Sequence, residues 1–125
     1  MVNTRFAFVA YPVSDISASR RFYDAVLGKE ARTTSDDWLE YELGDATFAI
    51  TRADADHPAP VRGALLAFEV ADLEGELARL RGHAVAFRGD IVETEVCRFI
   101  IALDPDESEF LIHQRKLGPD ATPTI

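Results

Sequence analysis

The chain has 125 residues, 47% of them hydrophobic and 28% charged, which is the composition of one compact globular domain able to bury a core unaided. A formal net charge of −9 argues against a nucleic-acid partner, whose phosphates require a basic surface. No apolar run approaches the roughly 18 residues that span a bilayer, and no charged-then-apolar leader precedes the first strand, so neither membrane nor secretion is expected.

A single cysteine, Cys97, has no partner for an internal disulfide and fits a reducing compartment, so the cytoplasm is the expected location. The acid excess reads first as solubility and also permits a cationic ligand.

The first element is a strand in which Val9, Tyr11 and Val13 alternate with Phe8, Ala10 and Pro12. Ser14 or Asp15 can then cap a helix, with Ile16, Tyr23, Val26 and Leu27 near one face and Gly28 as its exit. Trp38 to Leu43 and Ala46 to Thr51 alternate about Gly44 and Asp45, which predicts a hairpin. The plan then repeats. Leu66, Phe68 and Val70 run into Asp72 as a cap, Leu73, Leu77 and Leu80 follow at helical spacing, and Gly82 closes the helix. A second hairpin joins Val96 to Leu103 with Glu109 to Gln114 around "DPDES". The capping Asp15 and Asp72 lie 57 positions apart (72 minus 15), the spacing of an internal duplication. Module 1 is expected over about 5–52, an Ala/Asp/Pro linker over about 53–62, module 2 over about 63–116, and a flexible tail over 117–125.

"YPVSDISASRRFYDAVLG", "AFEVADLEGELARL" and "DPDESEFLIHQRK" resemble the glyoxalase/bleomycin-resistance proteins of the vicinal oxygen chelate superfamily. That resemblance implies an α+β fold of two tandem βαβββ modules, whose mixed sheets curl around a shared U-shaped cavity. Glu107-Ser108 stands where the family has Gly-Asn, a departure confined to the turn. The resemblance also implies four metal-ligand positions, on the first and last strands of each module. They fall on Phe8, Leu65 and Leu111, and near Ala49. None is a donor, since a divalent ion requires imidazole, carboxylate or thiolate. No metal and no other cofactor are therefore expected.

Hairpin pairing assigns the remaining cavity side chains, because alternate residues share a face. Pairing Leu43 with Ala46 puts Trp38, Glu40 and Glu42 with Ala49, leaving Leu39, Tyr41, Leu43, Phe48 and Ile50 under the helix. Pairing Leu103 with Glu109 puts Cys97, Phe99 and Ile101 with Leu111 and His113, and turns Arg98 away. The expected ligand wall is thus Phe8, Trp38, Leu65, Phe99 and Leu111, with Glu40, Glu42, Glu69, Cys97 and His113 as polar points. Aromatic rings and carboxylates would suit a planar or cationic organic molecule. His113, Cys97 and Glu42 are the catalytic candidates, if any exist; the alternatives are a wet strand-end histidine, a small core thiol and a solvated carboxylate.

The reading that follows is metal-independent binding of a small organic compound, by sequestration and in a homodimer, as the resemblance implies. A lyase, isomerase or dioxygenase using relocated ligands or metal-free acid/base chemistry is the alternative, and an interaction module with a vestigial cavity is the third.

Overall fold

The computed structural model describes residues 2–116, so the tail expected over 117–125 lies outside the described residues. The chain divides into two compact units, Met1–Val61 and Arg62–Ile125.

In the first unit β1 (Phe8–Val13) leads into α1 (Ile16–Leu27), followed by β2 (Arg32–Ser35), β3 (Trp38–Glu42) and β4 (Thr47–Arg52). The strand order is β1-β4-β3-β2, with β1 parallel to β4 and the other pairs antiparallel. Of the two possible caps, Asp15 takes the role, accepting from the Ala18 N–H at 3.1 Å. Gly28 ends the helix at φ 65, a left-handed backbone that costs glycine nothing. The β3–β4 turn places φ 84 on Gly44, its first central residue, as a two-residue hairpin with Gly in that position demands. That turn fixes the expected register: Glu42 opposes Thr47 and Glu40 opposes Ala49.

The second unit repeats the order with β5 (Ala67–Glu69), α2 (Leu73–Arg81), β6 (Ala86–Glu93), β7 (Cys97–Leu103) and β8 (Glu109–Arg115). Its sheet runs β5-β8-β7-β6, with β5 parallel to β8. The protein is therefore α+β, built as two tandem βαβββ modules. Here too the expected register is present, with Leu103 opposite Glu109 and Phe99 opposite His113. The N-terminus of α2 is held twice, by Asp72 accepting from Gly75 N–H at 3.1 Å and by Gln114 Oε1 accepting from Leu73 N–H at 2.7 Å. Gly82 ends this helix at an ordinary φ of −69. The left-handed residue comes two positions later, at Ala84.

Each helix covers one face of its own sheet. In the first unit Tyr23 and Val26 of α1 are buried with Tyr11, Leu39, Tyr41, Phe48 and Ile50. Phe48 lies at the centre, its ring 4.9 Å from Tyr23, 5.7 Å from Tyr11 and 6.1 Å from Tyr41. Tyr41 Oη donates to Asp24 Oδ1 at 2.7 Å, and burial together with that carboxylate pushes the phenol well above the ordinary tyrosine range. In the second unit Leu73, Leu77 and Leu80 are buried with Ile100, Ala102, Phe110 and Ile112.

Two side chains sit against their surroundings. Ser19 is buried on the core face of α1, and its Oγ has no hydrogen-bond partner. Ser19→Ala removes an unsatisfied hydroxyl and improves helix propensity, so it should stabilise the protein by about 1 kcal/mol; thermal denaturation should show the midpoint raised by about 4 °C. Glu107 occupies the third residue after Asp104 at φ 67, a conformation that strains any residue with a Cβ. Glu107→Gly, which supplies the residue that adopts this conformation freely, should stabilise by about 1 kcal/mol in chemical denaturation despite a more flexible unfolded chain.

Candidate functional site

In the first unit the face opposite α1 is organised in three rows by the strand register. Phe8, Thr47 and Glu42 form one row, Ala10, Ala49, Glu40 and Arg32 the next, and Pro12, Thr51 and Trp38 the third. The small middle residues Ala10 and Ala49 allow the flanking rings of Phe8 and Trp38 to meet. Their centroids are 5.2 Å apart with planes at 88°, an edge-to-face pair. Ala49 is wholly buried in that middle row, while Phe8 is 51% exposed.

The carboxylate of Glu40 is gripped at both oxygens. Trp38 Nε1 donates to Oε2 at 2.7 Å and Arg32 Nη2 donates to Oε1 at 3.0 Å. These two bonds, that from Trp38 the larger, hold its pKa below the usual carboxylate range. A depressed pKa stabilises the fold above the unfolded value, and that contribution fades as pH falls through the folded one. Glu40→Gln should therefore lower stability at neutral pH and narrow the gap to wild type in acid, as read by denaturation at several pH values. Glu42 accepts from Thr47 Oγ1 at 3.0 Å and lies 3.8 Å from Arg32. The indole is thus fixed by its own N–H, and a cation of the chain already attends both carboxylates.

In the second unit the face opposite α2 carries Glu69, His113, Phe99 and Val92 in one row and Ala67, Leu111, Ile101 and Arg88 in the next. Glu69 Oε1 lies 2.6 Å from His113 Nδ1, and its Oε2 accepts from the Arg115 backbone N–H at 2.7 Å. A carboxylate only accepts, so Nδ1 is the protonated nitrogen of the neutral ring and Nε2 keeps its lone pair. Leu111 is buried, whereas Leu65, ahead of β5, is 71% exposed. Cys97 is buried with Sγ 3.3 Å from Thr94 Oγ1. Cys97 and His113 thus share a face but have different partners. Arg98 points the other way, to Glu74 and Glu93 at 2.9 and 3.0 Å.

Two partnerships escaped the sequence reading: Arg32 with Glu40, and Glu69 with His113. The first depends on a register shift between Thr33 and Ser35, which sets Arg32 rather than Thr33 opposite Glu40 and which a regular ladder does not show. A cleft of about 600 Å³ in the first unit was also not foreseen; it is lined by Ser14, Ser17, Arg20, Thr33, Asp36 and Arg52 at the start of α1. Both of its arginines are engaged, Arg52 with Asp37 at 2.7 Å and Arg20 with Thr33 at 3.4 Å.

Two βαβββ modules in tandem, each with a helix on one face of its sheet, define a recognisable class. The family model of the Glyoxalase/Bleomycin resistance protein/Dioxygenase superfamily matches residues 5–112, and the chain belongs to that family. Among solved structures the chain is similar to TnmS3, an antibiotic binding protein from Streptomyces sp. CB03234, at 24% identity over 93% of this chain and 99% of that one, with a TM-score of 0.76. It is similar to the oxidase ChaP-H2 at 18% identity over 96% and 100% of the two chains, with a TM-score of 0.74. A glyoxalase/bleomycin resistance protein from Catenulispora Acidiphila DSM 44928 aligns at 24% identity over 87% and 95%, with a TM-score of 0.69. At these identities the likeness establishes the fold. Among curated proteins none matches.

The superfamily implies a metal, and the positions that the resemblance assigns to its ligands, Phe8, Leu65, Leu111 and near Ala49, carry side chains that do not fit one. The register places Ala49 opposite Ala10 in the first unit and Leu111 opposite Ala67 in the second, so the two occupy equivalent last-strand positions. With Phe8 and Leu65 they present hydrocarbon, which has no lone pair for an ion.

Proposed function

We propose that the protein binds a small planar organic molecule by fit, with no metal at the inherited positions, and acts by sequestration. What carries this reading is that Phe8, Ala49, Leu65 and Leu111, all hydrocarbon, stand at the four positions that the family resemblance implies for metal ligands. The Phe8–Trp38 pair supports it by offering fixed aromatic surface on a face that carries no helix of its own unit. Similarity to an antibiotic binding protein supports a drug-like ligand class. Arg32 beside Glu40 and Glu42 lessens the pull on a cationic ligand, so aromatic contact outweighs charge in this proposal. Among the described residues no helix is long and apolar enough to cross a membrane. A cytoplasmic homodimer completes the reading, by analogy with the family's drug-sequestering members.

The test uses Trp38, the one tryptophan of the sequence, as an intrinsic probe. Titrating aromatic antibiotics and planar metabolites should produce saturable quenching of its fluorescence for at least one compound class. A broad panel without saturable quenching, together with no thermal shift, would instead favour an interaction module. An enzymatic reading keeps one structural argument, the Glu69–His113 pair.

A further inference from the structure

We propose that the Glu69–His113 pair is a general-base site of the second unit, acting without a metal on a small aromatic molecule that carries an acidified C–H. Glu69 is anchored at both oxygens, by His113 Nδ1 at 2.6 Å and by the Arg115 N–H at 2.7 Å, so it fixes both the tautomer and the tilt of the imidazole. Among the described residues Nε2 has no hydrogen-bond partner, and its lone pair is available to a ligand. The His113 side chain is 20% exposed, which leaves it reachable and partly sheltered from water. Phe99 stands directly across from it on β7, and Leu111 and Ile101 fill the adjacent row. Those side chains present apolar surface beside the base, against which an aromatic ring can lie, while Glu69 itself is half exposed. A carboxylate that orients a histidine and leaves its other nitrogen unbonded is an arrangement that general bases use.

The step is a simple proton removal. Nε2 takes the proton from an acidified carbon, the C–H electron pair forms a new π bond, and a bond to an oxygen leaving group breaks. The imidazolium returns its proton to water or to the departing oxygen, and no oxidant, reductant or metal enters. Glu69 is a positioning residue here, and His113 is the catalytic one.

The experiment uses 5-nitro-1,2-benzisoxazole, whose ring opens by this elimination to a coloured phenolate. The protein background carries His57→Gln and His83→Gln, leaving His113 as the only histidine of the three in the sequence. This background should accelerate the elimination beyond free imidazole at equal concentration, and adding His113→Gln should lower kcat/KM by roughly a hundredfold. Glu69→Ala should lower kcat by roughly tenfold with little change in KM. It should also abolish the single-tautomer ¹⁵N signature of His113, a change that mere loss of packing would not produce. If His113→Gln does not fold, acylation of the background protein with diethyl pyrocarbonate must remove the activity and hydroxylamine must restore it. A rate no greater than that of free imidazole, or one that survives either His113→Gln or acylation, overturns the proposal. The binding proposal is read separately at Trp38, so either can fail alone.

Discussion

Asp104→Ala is expected to destabilise the protein by about 3 kcal/mol, lowering the melting midpoint by about 10 °C. Asp104 is buried, and one oxygen, Oδ1, accepts from the N–H groups of both Asp106 and Ser108, at 2.9 and 2.8 Å. Its backbone closes the same turn, with N–H donating to Ser108 O at 3.0 Å and O accepting from Glu107 N–H at 2.8 Å. Ser108 is wholly buried, so truncating Asp104 removes the acceptor its N–H uses away from water. Asp104→Asn keeps an acceptor oxygen and should recover about half of the loss. Equal melting of Asp104→Ala and wild type would mean that this turn does not hold the β7–β8 hairpin together.

Trp38→Ala is expected to weaken an aromatic ligand by roughly ten- to a hundredfold, because the indole is the largest fixed aromatic surface on the proposed binding face. Trp38→Phe keeps a ring but loses the N–H bond to Glu40 and should fall between alanine and wild type. Arg20 sits on α1, on the helix side of the sheet, where it reaches Asp24 and Thr33. Arg20→Ala should leave affinity unchanged. Isothermal titration of the three variants decides the matter, and equal losses from Trp38→Ala and Arg20→Ala would count against this face.

Some of this could be read from sequence because short turns transmit register. Gly44-Asp45 and the "DPDES" turn each join strands of period two, so one pairing across the turn assigns every side chain to a face. That is how Trp38, Glu40 and Glu42 were grouped with Ala49, and Phe99 with His113. The helix caps were legible for a similar reason, since Asp15 and Asp72 act within three residues of themselves. Strands β2 and β6 carried no such signal. The sequence of β2 is Arg-Thr-Thr-Ser, exposed throughout on a sheet edge, and β6 is interrupted by Gly89 at φ 77 within a register shift. Arg32 was missed with β2. The Glu69–His113 bond joins two parallel strands 44 residues apart, and no local turn sets that register.

The central claim is that hydrocarbon at Phe8, Ala49, Leu65 and Leu111 leaves this member of the superfamily a binder that works without an ion. Its most direct test is the ligand-induced shift in melting temperature, measured before and after exhaustive chelation. The account predicts the same shift in both. A shift that vanishes on chelation and returns with a stoichiometric divalent metal would contradict it.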